Sequence, residues 1–149
     1  MTKHKKQTGI WLDYREAFLV IMNEEKKDEP VLKHLRSHIE GGVPKGGSRS
    51  KTPYGPQGGI DERGFTDRRH HAEKTYFEAV IREIDPATDE LVIFGPSEAK
   101  YGLQNLMEQI KHFHPKLLGV FPAEPMSESQ LIAKVRGFFA NHVIHEPLI

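Results

Sequence analysis

The sequence contains no cysteine. Disulfide bonds, thiolate metal sites and cysteine nucleophiles are therefore excluded, and the chain is compatible with a reducing compartment. Long apolar runs are missing too: no segment approaches the ~18 apolar residues of a membrane span, and no apolar stretch follows the basic N-terminus as in a secretory signal. We expect a cytoplasmic protein without a membrane partner.

An excess of charge of one sign is also missing. The 21 Lys and Arg residues balance the 21 Asp and Glu residues, so the formal net charge is zero. Affinity for a polyanion must then come from local clusters of basic side chains. The 149 residues suit one domain with its own core, and we expect a single domain over residues 1–149.

Short apolar runs alternate with polar segments along the chain. Runs 9–13 and 17–22 flank a three-residue turn and predict a hairpin, and a third strand is expected between Val31 and Ile39. Further buried strands are expected at 90–95 and 116–121, each between helical patterns. The order β-β-β-loop-α-β-α-β-α predicts an α/β domain with a mixed sheet of about five strands, an antiparallel start and right-handed crossovers.

Capping residues predict where the helices begin. Thr66 is a candidate N-cap for the first helix, and Ser127 with Gln130 forms a capping box for the last one. The segment 95–97 (Gly-Pro-Ser) is expected to form a turn and cap before the second helix, with Lys100 facing solvent or a partner.

Residues 41–65 (GGVPKGGSRSKTPYGPQGGIDERGF) form a glycine-rich basic segment between the third strand and the first helix. It holds eight glycines and three prolines but few apolar side chains. Such a segment cannot bury enough surface to offset the entropy lost on ordering, so we expect a flexible loop. Loops of this length in compact domains are usually functional or disordered.

The basic residues in and after this loop are candidates for contacts with RNA phosphates. The alternative is that the loop is a solvated insertion without a partner. Arg68 and Arg69 can also belong to an ordinary solvent-exposed helix face. The nine histidines show no metal-site spacing and no phosphate-binding or dinucleotide motif is present, so we expect no metal and no cofactor. The candidate RNA-binding residues are Lys45, Arg49, Lys51, Arg63, Arg68 and Arg69.

Several segments together carry a family resemblance: 9–17 (GIWLDYREA), the basic loop, 63–76, 94–100 (FGPSEAK), and 116–120 leading into 126–128. In order and spacing they resemble the central domain of the eukaryotic and archaeal class I peptide release factors, of Pelota and of bacterial release-factor-like proteins. The resemblance implies the translational-machinery-component (ribonuclease H-like) architecture. It also implies a role at the ribosome, on the acceptor end of transfer RNA.

The sequence departs from that family in its loop. In true release factors a Gly-Gly-Gln tripeptide positions a water against the peptidyl ester, whereas here Gly46-Gly47 precedes Ser48 and Gly58-Gly59 precedes Ile60. No residues remain for a codon-reading domain. We therefore expect a ribosome- or tRNA-associated protein, active in rescue, quality control or dormancy, that decodes no stop codon and binds no DNA.

Two other functions remain open. One is an active peptidyl-tRNA hydrolase in which the backbone amides of Gly58 and Gly59, with Gln57, orient the water. The other is a non-catalytic protein-interaction domain that kept only the fold. Binding through several phosphates falls steeply with salt, which distinguishes an RNA partner from a protein partner.

Overall fold

The computed structural model describes residues 6–23, 30–39 and 55–145, with side chains at 6–23, 30–39 and 66–141. These ranges contain five strands and three helices in the expected order, which confirms the α/β class. The elements are β1 (Lys6–Leu12), β2 (Glu16–Asn23), β3 (Val31–Arg36), α1 (Gly55–Arg82), β4 (Glu90–Gly95), α2 (Ala99–Glu108), β5 (Lys116–Pro122) and α3 (Glu128–His145).

The five strands form one mixed sheet in the order β3-β2-β1-β4-β5. β2 is antiparallel to both β1 and β3, while β1 and β4, and β4 and β5, pair in parallel. The predicted hairpin followed by parallel strands is thus confirmed. As a consequence, the ends of β1, β3, β4 and β5 and the start of β2 meet at one side of the sheet, here called the carboxyl edge.

Helices cover both faces of the sheet. On one face, α1 and α2 bury their apolar stripes against β1, β2 and β4, and on the other face α3 covers β1, β2 and β4. Burying a Leu or Ile side chain completely contributes about 1.5–3 kcal/mol, so these two layers dominate the stability. Completely buried side chains of the core include Ile10, Leu12, Leu19, Val80, Leu91, Ile93, Leu103 and Val135.

Two glycines allow the helices to approach closely. A Cβ on Gly9 of β1 would lie 2.4 Å from a methyl of Val135 in α3, and a Cβ on Gly102 of α2 would lie 2.6 Å from the ring of Phe77 in α1. Both distances are far below normal contact. The sequence therefore uses glycine where α3 meets the sheet and where α2 meets α1.

The predicted start of the first helix is wrong. α1 begins at Gly55, eleven residues before Thr66, so residues 55–65 of the expected loop are helical. Pro56 lies in the first turn, where a missing N–H needs no helical partner and the fixed φ suits a helix. Glycine disfavours a helix by only about 1 kcal/mol per residue, which makes it a weak sign of a loop. The rest of the expected loop lies outside the described residues.

Of the predicted starts of the other two helices, one is confirmed and one is wrong. The capping box of α3 is confirmed: the Ser127 amide donates to Gln130 Oε1 at 3.0 Å, and the Gln130 amide donates to Ser127 Oγ at 3.1 Å. The predicted cap for α2 is wrong, because Glu98 holds the N-cap position with helical dihedral angles and makes no side-chain cap bond.

Lys100 does not face solvent as expected. It is 5% exposed, its Nζ donates to the Ser97 carbonyl at 2.7 Å, and it lies 4.4 Å from the centroid of the Tyr101 ring. The aliphatic stem is buried while the ammonium group folds back onto the turn before α2. Lys100 therefore closes this turn from within the protein.

Candidate functional site

Three of the segments that carry the family resemblance, 9–17, 63–76 and 94–100, have described parts at the carboxyl edge of the sheet, whereas residues 41–54 of the basic loop lie outside the described residues. Segment 9–17 supplies the β1–β2 turn, and segment 63–76 supplies the part of α1 that contacts this turn. The ends of β4 and β5 are joined there, because the Ala123 amide donates to the Gly95 carbonyl at 2.9 Å. Trp11 Nε1 donates to the Ala123 carbonyl at 3.0 Å and connects β1 to the same place.

The β1–β2 turn is fixed by its own polar residues. Oδ1 of Asp13 accepts the amides of Arg15 at 2.8 Å and Glu16 at 2.9 Å, which is the local bonding that favours Asp in turns. Ser37, just after β3, donates its hydroxyl to the Tyr14 carbonyl at 2.6 Å and its amide to the Arg15 carbonyl at 2.9 Å. The turn is thus held from both sides, and it positions Tyr14.

Tyr76 attaches α1 to this turn. Its hydroxyl donates to the Asp13 carbonyl at 2.9 Å, and the residue is 4% exposed. Burial raises the pKa of Tyr76 far above that of a free phenol, and the negative charges of Asp13 and Glu16 raise it further. The phenol remains a protonated donor throughout the physiological pH range.

Two turns of helix before Tyr76, Arg69 binds the same hairpin turn. Its Nε lies 2.9 Å from Oε2 of Glu73, with the two side chains 23% and 20% exposed, and its guanidinium carbon lies 5.4 Å from the centroid of the Tyr14 ring. Burial raises the pKa of Tyr14, and the negative charges of Glu73 and Glu98 raise it further. The positive charge of Arg69 lowers it. We call Tyr14, Arg69, Glu73 and Glu98 the Tyr14 junction.

α1 continues well beyond the sheet. Its 28 residues correspond to about 42 Å at 1.5 Å per residue, whereas a strand of six or seven residues spans only about 20 Å. Since Tyr76 lies level with the end of β1, the N-terminal part of α1 extends past the carboxyl edge. We call residues 55–68 the α1 arm; its 14 residues correspond to about 21 Å.

The predicted RNA-binding residues fall into different environments. Arg68 is exposed on α1, and Arg63 lies within the arm. Arg69 is held in the Tyr14 junction, so its side chain is already engaged. Arg68 and Arg69 lie in the middle of α1 and not at its start. Lys45, Arg49 and Lys51 lie outside the described residues.

The predicted catalytic residues lie at the start of α1 instead of in a loop. Gln57, Gly58 and Gly59 belong to its first two turns. In a regular helix that begins at Gly55, only the amides of the first three helical residues have no helical partner, and the amide of Gly59 bonds to the carbonyl of Gly55. Since Pro56 has no amide N–H, only Gln57 among the three predicted residues has an amide available to a ligand by this geometry.

Sequence reasoning missed most of the Tyr14 junction. Arg69 and Glu73 are four residues apart, a spacing at which opposite charges pair on a helix, so this contact was readable from the sequence. The contact between Arg69 and Tyr14 joins residues 55 positions apart, and no local pattern indicates it. Glu98 was noted only within a motif, and its effect on Tyr14 arises from the fold.

The described part of the chain contains no group of three or more His, Asp or Glu side chains arranged to hold a metal ion. Of the helices in these ranges, none combines the length and apolar character that crossing a bilayer requires.

No protein-family model and no curated protein matches the sequence. Among solved structures, the chain is similar to the Pelota protein of Thermoplasma acidophilum, with 18% identity and a TM-score of 0.40 over 85% of this chain and 30% of that one. It is similar to the archaeal translation termination factor aRF1, with 11% identity and a TM-score of 0.49 over 94% and 40% of the two chains. A Ppx/GppA family member of Aquifex aeolicus matches with 14% identity and a TM-score of 0.32 over 83% and 36%. The chain thus spans 30% to 40% of the length of these three proteins.

Proposed function

We propose that this domain is a release-factor-like protein that binds the ribosome or the acceptor end of transfer RNA, in rescue, quality control or dormancy. Contact is made through the basic segment 41–54 and the α1 arm.

One observation carries this proposal: three of the segments that resemble release factors, separate in sequence, converge at the carboxyl edge from which the α1 arm extends. Tyr76 and Arg69 contact the hairpin turn from α1, and Gly95, where the Gly-Pro turn begins, closely approaches the Leu12 carbonyl at the end of β1. Arg68 is exposed at the end of the arm. The arm holds Arg63 and Arg68 against Asp61, Glu62 and Asp67, so the excess of positive charge lies in segment 41–54, with Lys45, Arg49 and Lys51. Basic side chains on and next to a helix that extends from a rigid body are suited to reach phosphates inside a larger RNA surface.

The proposal is tested by co-sedimentation with ribosomes at low and moderate salt. Arg63→Ala with Arg68→Ala should reduce the pelleted fraction and make it less dependent on salt, because each lost phosphate contact lowers the salt slope by about one. Lys111→Ala with Lys116→Ala is the matched control. It removes the same charge from exposed positions at the opposite edge of the sheet.

Deletion of residues 45–54 tests the loop without shortening α1, which begins at Gly55. We expect this deletion also to reduce the pelleted fraction. If both arm and loop variants pellet like wild type, the RNA-binding role of these residues is wrong. Binding that is strong but unaffected by salt would instead favour a protein-interaction domain.

A second candidate function, hydrolysis of peptidyl-tRNA, is favoured by the position of Gln57 in the first turn of α1. A free amide at a helix start stabilises negative charge, which develops on the carbonyl oxygen when an ester is attacked. Gln57→Ala, which removes the side chain, and Gln57→Pro, which also removes the amide, should each reduce cleavage of a peptidyl-tRNA ester. Cleavage that is absent in wild type, or unchanged in both variants, would exclude this function.

A further inference from the structure

The described side chains at and next to the arm include none that is completely buried. Residues 66–75 are all exposed or partly exposed, whereas Tyr76, Phe77 and Val80 of the same helix are buried in the core. A small change in the tilt of α1 at this buried part is magnified toward the end of the arm, because the 14 residues of the arm correspond to about 21 Å. A contact between residues 66–75 and the domain therefore affects where the arm points.

Arg69 supplies such a contact. Its guanidinium is bonded to Glu73 on the same helix and lies over the ring of Tyr14 on the hairpin turn, and both charged side chains are mostly buried. A planar guanidinium can stack on a ring and donate to a carboxylate at the same time, a combination that lysine does not reproduce. Arg69 thus has a geometry suited to fixing a helix against a turn.

The other side of the contact is rigid. The turn that carries Tyr14 is bonded by the Asp13 carboxylate within the hairpin and by Ser37 from the end of β3. Ala99, at the start of α2, belongs to the core cluster on which Tyr14 packs, and Glu98 before it contributes to the raised pKa of Tyr14. Three elements, the hairpin turn, the end of β3 and α1, therefore meet where Arg69 is held.

We propose that Tyr14, Arg69 and Glu73 fix the direction in which the α1 arm leaves the domain, and that Arg69 is a positioning residue, not an RNA contact. Arg69 is thus no longer counted among the residues that contact phosphate; it orients the arm that carries them. Arg68, its exposed neighbour, remains a candidate for direct contact with phosphate. Only the identity of the ligand rests on the function proposed above; the direction of the arm does not.

The direction of the arm can be measured without a ligand. Because the chain has no cysteine, the pair Asp61→Cys and Glu124→Cys provides unique attachment sites for two spin labels, one in the arm and one on the exposed loop before α3. In the wild-type background, pulsed electron paramagnetic resonance should give one narrow distribution of the distance between the two labels. Arg69→Ala and Tyr14→Ala should each shift or broaden this distribution.

Two variants serve as controls for this measurement. Tyr14→Phe keeps the ring beneath the guanidinium and should retain the wild-type distribution, as should Arg68→Ala, which removes a charge one residue away.

Glu73→Gln is a further test of the junction. It removes the ion pair with Arg69 without changing the shape of the side chain, and we expect it to broaden the distance distribution. Circular dichroism establishes that each variant is folded. Unchanged distributions in both Arg69→Ala and Tyr14→Ala would overturn the proposal.

Ribosome binding gives a second readout that separates positioning from direct contact. Tyr14→Ala removes no charge, yet it should weaken co-sedimentation as strongly as Arg69→Ala if both residues act by orienting the arm. If Arg69 contacts phosphate directly, only Arg69→Ala weakens binding, and the positioning role is wrong. Should the wild-type protein not bind ribosomes at all, the proposed function fails while the distance measurement still decides the role of the junction.

Discussion

At the scale of single residues, the structure of the carboxyl edge depends on a few residues, each of which contacts one specific partner. Tyr76 donates to Asp13, and Gly95 allows the ends of β1 and β4 to approach. Neither role is visible in the sequence, because each partner is distant along the chain. The local roles of Ser127 and Gln130, in contrast, were readable because their partners are three residues apart.

Tyr76→Phe should lower the free energy of unfolding at neutral pH by about 1 kcal/mol, because the Asp13 carbonyl loses its donor. It should also change the dependence on alkaline pH. Below a pH of about 10, both the folded and unfolded states keep the phenolic proton, so this group adds no pH dependence. Above it, the unfolded state releases the proton first because burial raises the folded-state pKa, so stability falls as pH rises.

This effect is measured by urea unfolding between pH 8 and 11. Wild type should lose stability above pH 10 more steeply than Tyr76→Phe, by up to about 1.4 kcal/mol per pH unit. Tyr101→Phe, at an exposed tyrosine, is the control and should follow wild type. Identical alkaline slopes for wild type and Tyr76→Phe would contradict the assignment.

Gly95→Ala should destabilise the protein by about 1–3 kcal/mol. The new Cβ would lie 2.3 Å from the carbonyl oxygen of Leu12, which is backbone at the end of the central strand β1 and cannot move alone. Gly137→Ala is a matched comparison, because nothing lies within 4 Å of its Cβ position and it is within a helix. It should stabilise by about 0.5–1 kcal/mol. Thermal unfolding of the two variants should therefore shift in opposite directions.

At the scale of elements, the order of strands and helices could be predicted from apolar periodicity, and the helix start at α3 from its capping box. The start of α1 could not, because four glycines and Pro56 between residues 55 and 65 are more typical of loops. The β3 strand also ends at Arg36 although Ile39 still packs on the core. Periodicity indicates which residues face the core but not where regular hydrogen bonding stops.

The capping box gives a prediction at this scale. Ser127→Ala should lower the free energy of unfolding by about 1 kcal/mol, since the Gln130 amide loses its acceptor at the start of α3. Ser129→Ala, at an exposed position in the first turn, should be neutral or slightly stabilising because alanine favours helices. Denaturant unfolding monitored by Trp11 fluorescence, whose indole lies beneath α3, measures both. Equal stabilities of the two variants would contradict the role of the cap.

At the scale of the whole molecule, the sequence could indicate an α/β domain but not how its elements converge. The order β3-β2-β1-β4-β5 places β1 between the hairpin and the parallel strands, and this brings the turn at Tyr14 beside both α1 and the start of α2. That convergence follows from packing across the sheet, for which sequence spacing gives no measure. Residues 55–65, which were expected to belong to a flexible loop, form part of α1 in the structure.

The central claim, that this domain binds ribosomes or transfer RNA through the basic segment 41–54 and the α1 arm, is tested most directly by sedimenting the wild-type protein with purified ribosomes at two salt concentrations. The account predicts that the protein pellets with ribosomes at low salt and is largely released at moderate salt, as expected for several phosphate contacts. A protein that stays in the supernatant at both concentrations would contradict it.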